Sequence, residues 1–268
     1  DHLGLTLTPN NGIIVSKIKN IYPRKENEMF NTTGEVHHGG IDNEMFVIDL
    51  LNNKGVYDLP VTHLGGTQNK ADAVSGDLGI SIKRKKDINK GSYDYLNSTV
   101  PVSLLPDYTD FDTVKDLANT CNSKETVSEL FLKTSSSILD KVDPDTMTGI
   151  VSDAFAKQAD MDIVITDVET KTIYIMSAND LQVPTLIRDG YKATIVPTKK
   201  LATSRKLVFV KGNDKVETGL RVRLVTNNGI GAMMGLSKVN KTSSVVVKLQ
   251  QDKVSKVISN TKHKVITY

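Results

Sequence analysis

Residues 65–86 contain an aspartate and a lysine whose spacing could support phosphoryl chemistry. The stretch reads GGTQNKADAVSGDLGISIKRKK, with Asp72 ahead of a Gly76-Asp77 turn and Lys83 after it. Strand-like runs flank this turn, so we expect a hairpin that brings Asp72 and Lys83 together on adjacent strands. A carboxylate binds Mg²⁺, and a lysine can orient or help to deprotonate an attacking water while it offsets phosphate charge. The pair predicts metal-dependent phosphodiester hydrolysis.

The same residues resemble the PD-(D/E)XK nuclease superfamily, in particular type II restriction-endonuclease-like enzymes, whose site reads KAD, a short turn and a strand ending in xIK. The resemblance covers about residues 44–86, and the rest of the chain only by element order. It implies a mixed central sheet flanked by helices, with the metal-binding Asp72 on one central strand and Lys83 on the next. Ser81 stands where the family usually has Asp or Glu, and a hydroxyl cannot supply that negative charge. Ser81 could contribute through a water or through its backbone carbonyl.

The resemblance therefore requires a second metal-binding carboxylate from another element, as in some members of the superfamily. Glu44 is the first choice, because many of these enzymes carry an acid on the first helix that faces the metal. Asp77 and Glu35 are weaker alternatives, and the turn around Asp77 should direct its side chain to solvent. His37 and His38 are too close together to indicate a ligand pair, and a surface loop explains them better.

A literal acid-x-Lys tripeptide also occurs, as ETK at residues 169–171, downstream of Asp162 and Asp167. It falls at a turn between two strand-like runs, where such residues are commonly solvent-exposed turn formers. We rank this tripeptide below the aspartate–lysine pair of the hairpin. The remaining possibility for these residues is that neither set is catalytic and that the hairpin pair is a structural ion pair on a sheet face.

Basic residues are concentrated in stretches that could contact a nucleic-acid backbone. Four of them flank the expected site: Lys70, Arg84, Lys85 and Lys86. Arg221 and Arg223 share one face of a later expected strand and precede a Gly/Asn-rich loop that could approach phosphate. Lys248, Gln250 and Gln251 could lie against a duplex, although a terminal strand running into a surface helix is the commoner explanation.

The composition is that of an ordinary globular protein. The chain has 268 residues and a net charge of +3, which by itself does not indicate a nucleic-acid binder. The single cysteine, Cys121, excludes an internal disulfide and a Cys-rich zinc site. No apolar run approaches the ~20 residues of a membrane span, so we expect no membrane partner and a cytoplasmic location, in the host cytoplasm if the protein is phage-encoded. No P-loop, dinucleotide-binding or GxSxG motif is present.

The periodicity predicts a mixed α/β protein without regular βαβ alternation. We expect one nuclease-like domain over residues 1–268, with a core at about 40–180 and a strand-rich basic part at 181–268. Asp110 and Ser123 are expected helix N-caps. The expected helices cover residues 41–52, 111–120, 125–142, 146–159 and 250–258. The expected strands cover residues 55–64, 70–75, 78–85, 162–167, 172–177, 207–210, 220–226 and 244–249.

Together these features predict a Mg²⁺-dependent DNA endonuclease acting on duplex DNA, for which Mn²⁺ can substitute. Asp72 and Glu44 would hold the metal. A homodimer is expected, because a two-fold dimer matches the symmetry of the duplex. The main alternative is a non-catalytic DNA-binding protein that keeps the nuclease fold, and Ser81 favours it. A structural virion or assembly protein is a third interpretation.

Overall fold

The computed structural model describes residues 38–65, 71–84, 93–226, 243–251, 258 and 260–268, and shows there a mixed α/β protein with two sheets and five α-helices. The helices are α1 (His38–Asn53), α2 (Asp110–Thr120), α3 (Lys124–Lys141), α4 (Pro144–Ala156) and α5 (Gln182–Arg188). The first sheet contains, in spatial order, β1 (Val61–His63), β2 (Ala73–Ser75), β3 (Leu78–Arg84), β5 (Met161–Asp167), β6 (Thr172–Ser177) and β11 (Lys264–Thr267). The second contains β4 (Tyr93–Pro101), β10 (Ser243–Gln251), β9 (Asp214–Thr226), β8 (Ser204–Lys211) and β7 (Lys192–Ile195).

The first sheet is mixed because β3 and β5 run parallel while its other neighbouring strands are antiparallel. A parallel pair needs a crossover connection. Here the intervening chain supplies β4 and the helices α2, α3 and α4. All strand pairs of the second sheet are antiparallel. The first sheet is thus built from a three-stranded meander, a long crossover and a hairpin, with β11 added at its far edge.

The strand β5 is buried on both faces because each face packs on a different layer. Ile163 and Ile165 belong to the large core that also contains residues of the helices and of the second sheet. Val164 belongs to a smaller core with Val47 and Leu51 of α1. Alternating side chains point to opposite faces of a sheet. Therefore α1 covers one face of the first sheet, and the helices α2 to α5 with the second sheet pack on the opposite face.

A polar contact and a glycine position α1 against the edge of this sheet. The side-chain amide of Asn52 donates to the carbonyl oxygen of Val61 at 3.0 Å and accepts from its N–H at 2.7 Å, which ties the helix to the edge strand β1. Gly55 has φ +57° and follows the helix, and the N–H of Val56 donates to the carbonyl of Leu51 at 3.1 Å. This six-to-one hydrogen bond is typical of a Schellman motif, which ends a helix.

Most expected elements are confirmed with changes only at their ends: α1 to α4, β3, β5, β6 and β8 to β10. The strand expected over 55–64 is wrong for its first half, because the Schellman turn occupies the chain after α1 and only Val61–His63 forms a strand. The strand expected over 70–75 shortens to Ala73–Ser75. Four elements were not expected at all: β4, β7, β11 and α5.

Two local expectations have opposite outcomes at helix N-termini. Ser123 is confirmed as the N-cap of α3, since its side chain accepts a hydrogen bond from the N–H of Thr126. Asp110 is wrong as an N-cap: it is the first residue of α2, and Thr109 precedes it without a side-chain cap. Asp110 instead places a negative charge in the first helical turn, which the helix dipole favours.

The C-terminal helix expected over 250–258 is wrong at its start. Gln250 and Gln251 continue β10 because they pair in register with Asp94 and Tyr93 of β4. Residues 252–257 lie outside the described part of the chain.

The structure has two sheets and not the single central sheet that was expected. Residue 180, the expected end of the core, does not divide the chain into one sheet before it and one after it. Strand β4 precedes that position but belongs to the second sheet, and β11 follows it but belongs to the first. The large core contains residues of both sheets.

Candidate active site

The backbone of Asp72 is held between two neighbouring strands. Its N–H donates to the carbonyl of Ile80 at 2.9 Å, and its own carbonyl accepts from the N–H of Leu64 at 3.1 Å. The strands β2 and β3 join through Gly76 and Asp77, and Gly76 has φ +58°. Glycine is favoured at the first loop residue of a type II′ hairpin turn, which requires this left-handed conformation. The tight turn sets the register that brings Asp72 opposite the middle of β3.

The carboxylate of Asp72 contacts three consecutive residues of β3. Its Oδ2 accepts from the N–H of Ile82 at 2.6 Å and from the hydroxyl of Ser81 at 3.4 Å. The same oxygen lies 3.6 Å from Nζ of Lys83. The Asp72 side chain is 25% exposed and that of Lys83 is 31% exposed, so solvent reaches both. Within the described residues, Oδ1 of Asp72 has no hydrogen-bond partner.

Ser81 and Lys83 share one face of β3. Ile80 and Ile82 alternate with them and belong to the small core beneath α1. Ser81 and Lys83 therefore project from the opposite face, where both contact Asp72.

Glu44 lies on α1 and is paired with a residue that sequence reasoning missed. Its Oε2 is 2.9 Å from Nε2 of His63, and the two side chains are 22% and 26% exposed. His63 is in register with Ala73, which belongs to the small core under α1. This pair therefore lies on the opposite face of the sheet from Lys83. The only signal for His63 in the sequence is its place two residues after Val61, which gives both side chains the same face.

The structure does not bring Glu44 together with the hairpin site. Glu44 makes no hydrogen bond or ion pair with Asp72, Ser81 or Lys83. Among the residues that the structure describes, no group of three or more His, Cys, Asp or Glu side chains could hold a metal ion. Mg²⁺ usually keeps several waters and takes one or two carboxylates plus substrate phosphates. The free oxygen of Asp72 fits such an open site and does not fit an all-protein cage.

The other candidates of the sequence analysis are dispersed. Asp77 is exposed in the hairpin turn, as expected. Arg84 ends β3 in register with Thr166, and its side chain alternates away from the face of Lys83. His38 is the first residue of α1. Five candidates lie outside the described residues: Glu35, His37, Lys70, Lys85 and Lys86.

The tripeptide at residues 169–171 forms the exposed β5–β6 turn, as its sequence context indicates. Asp167 is 4% exposed, and its Oδ1 accepts from the N–H groups of Glu169 at 3.1 Å and Thr170 at 3.4 Å. Lys171 has φ +50°, a left-handed turn conformation. The carboxylate of Asp167 therefore shapes the turn through an Asx-type contact.

Asp162 has a structural partner and an altered pKa. The hydroxyl of Tyr57 donates to Oδ2 of Asp162 at 2.8 Å. Burial raises the pKa of Asp162 above its usual range, although the hydrogen bond from Tyr57 and the charge of Lys264 act in the opposite direction. Burial also raises the pKa of Tyr57, and the Asp162 charge adds to this shift. The ionised form of Asp162 is thus disfavoured in the folded protein.

This shift predicts that Asp162→Asn will match or exceed the wild type in free energy of unfolding at pH 7. A raised pKa means that the folded state binds the proton more tightly than the unfolded state does. The contribution of Asp162 to the free energy of unfolding therefore falls as pH rises from the unfolded pKa through the folded pKa. The asparagine oxygen can still accept from Tyr57. The advantage of the variant should shrink as pH is lowered toward the unfolded pKa of Asp, about 3.9. Urea denaturation across this pH range tests this, with Asp153→Asn as an exposed control. A deficit of the Asp162 variant at pH 7 would contradict it.

Arg221 and Arg223 are both exposed on one face of β9, as the sequence analysis expected. They belong to the second sheet, whereas Asp72 and Lys83 belong to the first.

Comparisons of the chain with protein-family models, with curated proteins and with solved structures find no match. None of the helices in the described part of the chain has the length and apolar character needed to cross a membrane.

Proposed function

We propose that this chain is a metal-dependent nuclease that hydrolyses phosphodiester bonds in duplex DNA at the Asp72–Lys83 site. The observation that carries the proposal is the 3.6 Å approach of Lys83 Nζ to Asp72 Oδ2 across neighbouring strands, with no hydrogen bond to Oδ1 from the described residues. The resemblance to PD-(D/E)XK enzymes implies this arrangement, an acid on one central strand and a lysine on the next. The strand β3, which carries Lys83, is the third of six in its sheet.

Each residue of the site has a distinct role in this proposal. Bound Mg²⁺ would polarise a phosphoryl oxygen and increase the acidity of a coordinated water. Oδ1 of Asp72 would be the protein ligand, while the N–H of Ile82 holds Oδ2 at 2.6 Å and so orients the carboxylate. The ammonium group of Lys83 donates to the attacking water or to a phosphate oxygen and offsets its negative charge. Ser81 stabilises the carboxylate through its hydroxyl.

The second candidate function is a non-catalytic DNA-binding protein. A specific observation favours it: Asp72 is the only carboxylate that contacts Lys83 among the described residues, and Glu44 is occupied by His63. In this interpretation the carboxylate of Asp72 has a structural role. It extends the β2–β3 ladder by replacing a backbone carbonyl opposite the N–H of Ile82.

Plasmid cleavage separates these functions. Supercoiled DNA is incubated with the full chain in Mg²⁺, in Mn²⁺ and in EDTA. The nuclease proposal expects nicked or linear product with either metal and none in EDTA. Salt-sensitive binding without cutting in either metal would support the second candidate, and neither binding nor cutting would leave the assembly-protein interpretation.

We also propose that the chain acts as a homodimer, because two-fold symmetry places one site on each strand of a duplex. Light scattering on the purified protein measures its mass directly. A monomer that still linearises plasmid in a single encounter would contradict the dimer.

A further inference from the structure

The outer face of the second sheet carries a row of basic residues. Lys206 of β8 is in register with Arg221 of β9, and Arg221 is in register with Lys248 of β10. Arg223 is two residues further along β9 and therefore shares the face of Arg221. Arg221, Arg223 and Lys206 are exposed, and Lys248 is partly buried. Four cationic side chains thus lie on three neighbouring strands.

A concavity of about 380 Å³ opens on this row. The described residues that line it are three basic, two hydroxyl and two apolar ones: Arg221, Arg223, Lys248, Thr203, Ser204, Leu132 and Ala202. Among the described residues that line it, none carries a carboxylate or an aromatic ring. The described part of the lining therefore combines cationic side chains with hydroxyl hydrogen-bond donors.

The two arginines differ from the neighbouring Lys206 in their pairing. Lys206 lies 3.4 Å from the carboxylate of Glu217, but neither Arg221 nor Arg223 makes an ion pair or side-chain hydrogen bond within the described part of the chain. Like charges on paired strands destabilise a sheet, and an arginine cannot relieve the repulsion by losing its proton. Nearby Arg205 differs, because its guanidinium is buried and bonded to Asp140. Because no described residue neutralises these two arginines, an external anion can take that role.

We propose that this surface binds the backbone phosphates of duplex nucleic acid. Arginine forms bidentate hydrogen bonds with phosphate, and the row crosses two interstrand spacings, or roughly 10 Å, which exceeds the reach of one phosphate group. A concave surface fits a rod-shaped polyanion better than a flat bilayer. Single-stranded ligands normally stack on aromatic rings, and none of the described lining residues is aromatic. Contacts to the backbone alone do not read sequence, so we expect binding without sequence preference.

This surface is separate from the Asp72–Lys83 site, so its test uses binding alone. A short labelled duplex of random sequence is titrated with the full chain in EDTA at several salt concentrations. The double variant R221Q/R223Q should lose about 10-fold or more in affinity, and the slope of log affinity against log salt should shrink by about two. The control K133Q/K141Q also removes two charges, but from ion pairs with Glu129 and Asp107 on and near α3. Its affinity should remain within about twofold of the wild type, because those lysines already have counter-charges.

Several results would overturn the proposal. These are equal losses in the two double variants, no duplex binding by the wild type at low salt, tighter binding of the matching single strand, or binding confined to phosphatidylserine vesicles. Thermal unfolding of each variant confirms that it is folded. If plasmid cutting is never seen while R221Q/R223Q still weakens duplex binding, the nuclease proposal fails and this one stands. If the wild type cuts plasmid and R221Q/R223Q binds duplex as tightly as the wild type, this proposal fails and the nuclease proposal stands.

Discussion

Asp72→Asn is expected to reduce Mg²⁺-dependent plasmid cutting by at least about 10²-fold and to leave duplex affinity in EDTA nearly unchanged. The substitution removes the negative charge that the metal needs. The asparagine oxygen can still accept from the N–H of Ile82, which is the shortest contact of the wild-type carboxylate at 2.6 Å. The hairpin should therefore keep its register. Initial cutting rates and fluorescence anisotropy measure the two quantities independently.

Lys83→Ala provides the companion test because it leaves the hydrogen bond between Asp72 and Ile82 intact. It should also abolish cutting, since the ammonium group no longer offsets phosphate charge. Lys115→Ala is the matched control, because it removes the lysine of an exposed ion pair with Asp112. Full activity of Lys83→Ala would refute the proposed site. If Asp72→Asn fails to fold, the result of Lys83→Ala decides the question alone.

Glu44→Gln tests whether Glu44 is a metal ligand, as the resemblance implies, or only the partner of His63. Cutting that survives this change assigns Glu44 to its contact with His63 at 2.9 Å. Lost cutting in a folded protein would return Glu44 to the metal site that the resemblance implies.

Arg205→Met is expected to lower the free energy of unfolding by about 2–3 kcal/mol. The Arg205 side chain is 1% exposed, and its guanidinium bonds both carboxylate oxygens of Asp140, at 2.9 and 3.1 Å. It also donates to the hydroxyl of Ser136 and to the carbonyl of Ala202. Methionine keeps much of the apolar stem but removes the donor from all of these acceptors. Asp140 is 47% exposed, so water partly compensates its lost partner and places the cost below that of a fully buried pair.

Equilibrium urea denaturation measures this loss, provided that the m-values agree. Lys206→Met is the neighbouring control, because its ion pair with Glu217 is exposed at both ends. Exposed pairs contribute about 0–1 kcal/mol, so the control should change stability little. A loss below about 0.5 kcal/mol in Arg205→Met would show that the buried guanidinium does not stabilise the contact between α3 and β8.

Local signals account for most elements that were predicted correctly. The β5–β6 hairpin follows from alternating apolar residues on both sides of a polar turn, and α3 begins at the predicted cap Ser123. The shortened first strand also had a local cause, because Gly55 follows the helix α1 and ends it. Asp110 failed as a cap because the helix includes it in its first turn.

Long-range pairing was not predictable from these signals. Strand β4 pairs with β10 and β11 pairs with β6, although each partner lies far away in sequence. Many strand pairs of similar composition compete for such positions, and the packing of the whole core selects among them. The division into two sheets follows from that selection.

The sequence alone determined that Asp72 and Lys83 would be neighbours, because one tight turn and the two-residue period of a strand are local geometry. The same period determined that Arg221 and Arg223 share a face. Only the tertiary structure decided that Glu44 contacts His63 and not Asp72, since that depends on which face of the sheet α1 covers. It likewise decided that Lys206 and Lys248 flank the two arginines and that Arg205 is buried against Asp140. These contacts join residues on separate elements, and their energies depend on packing that no local pattern encodes.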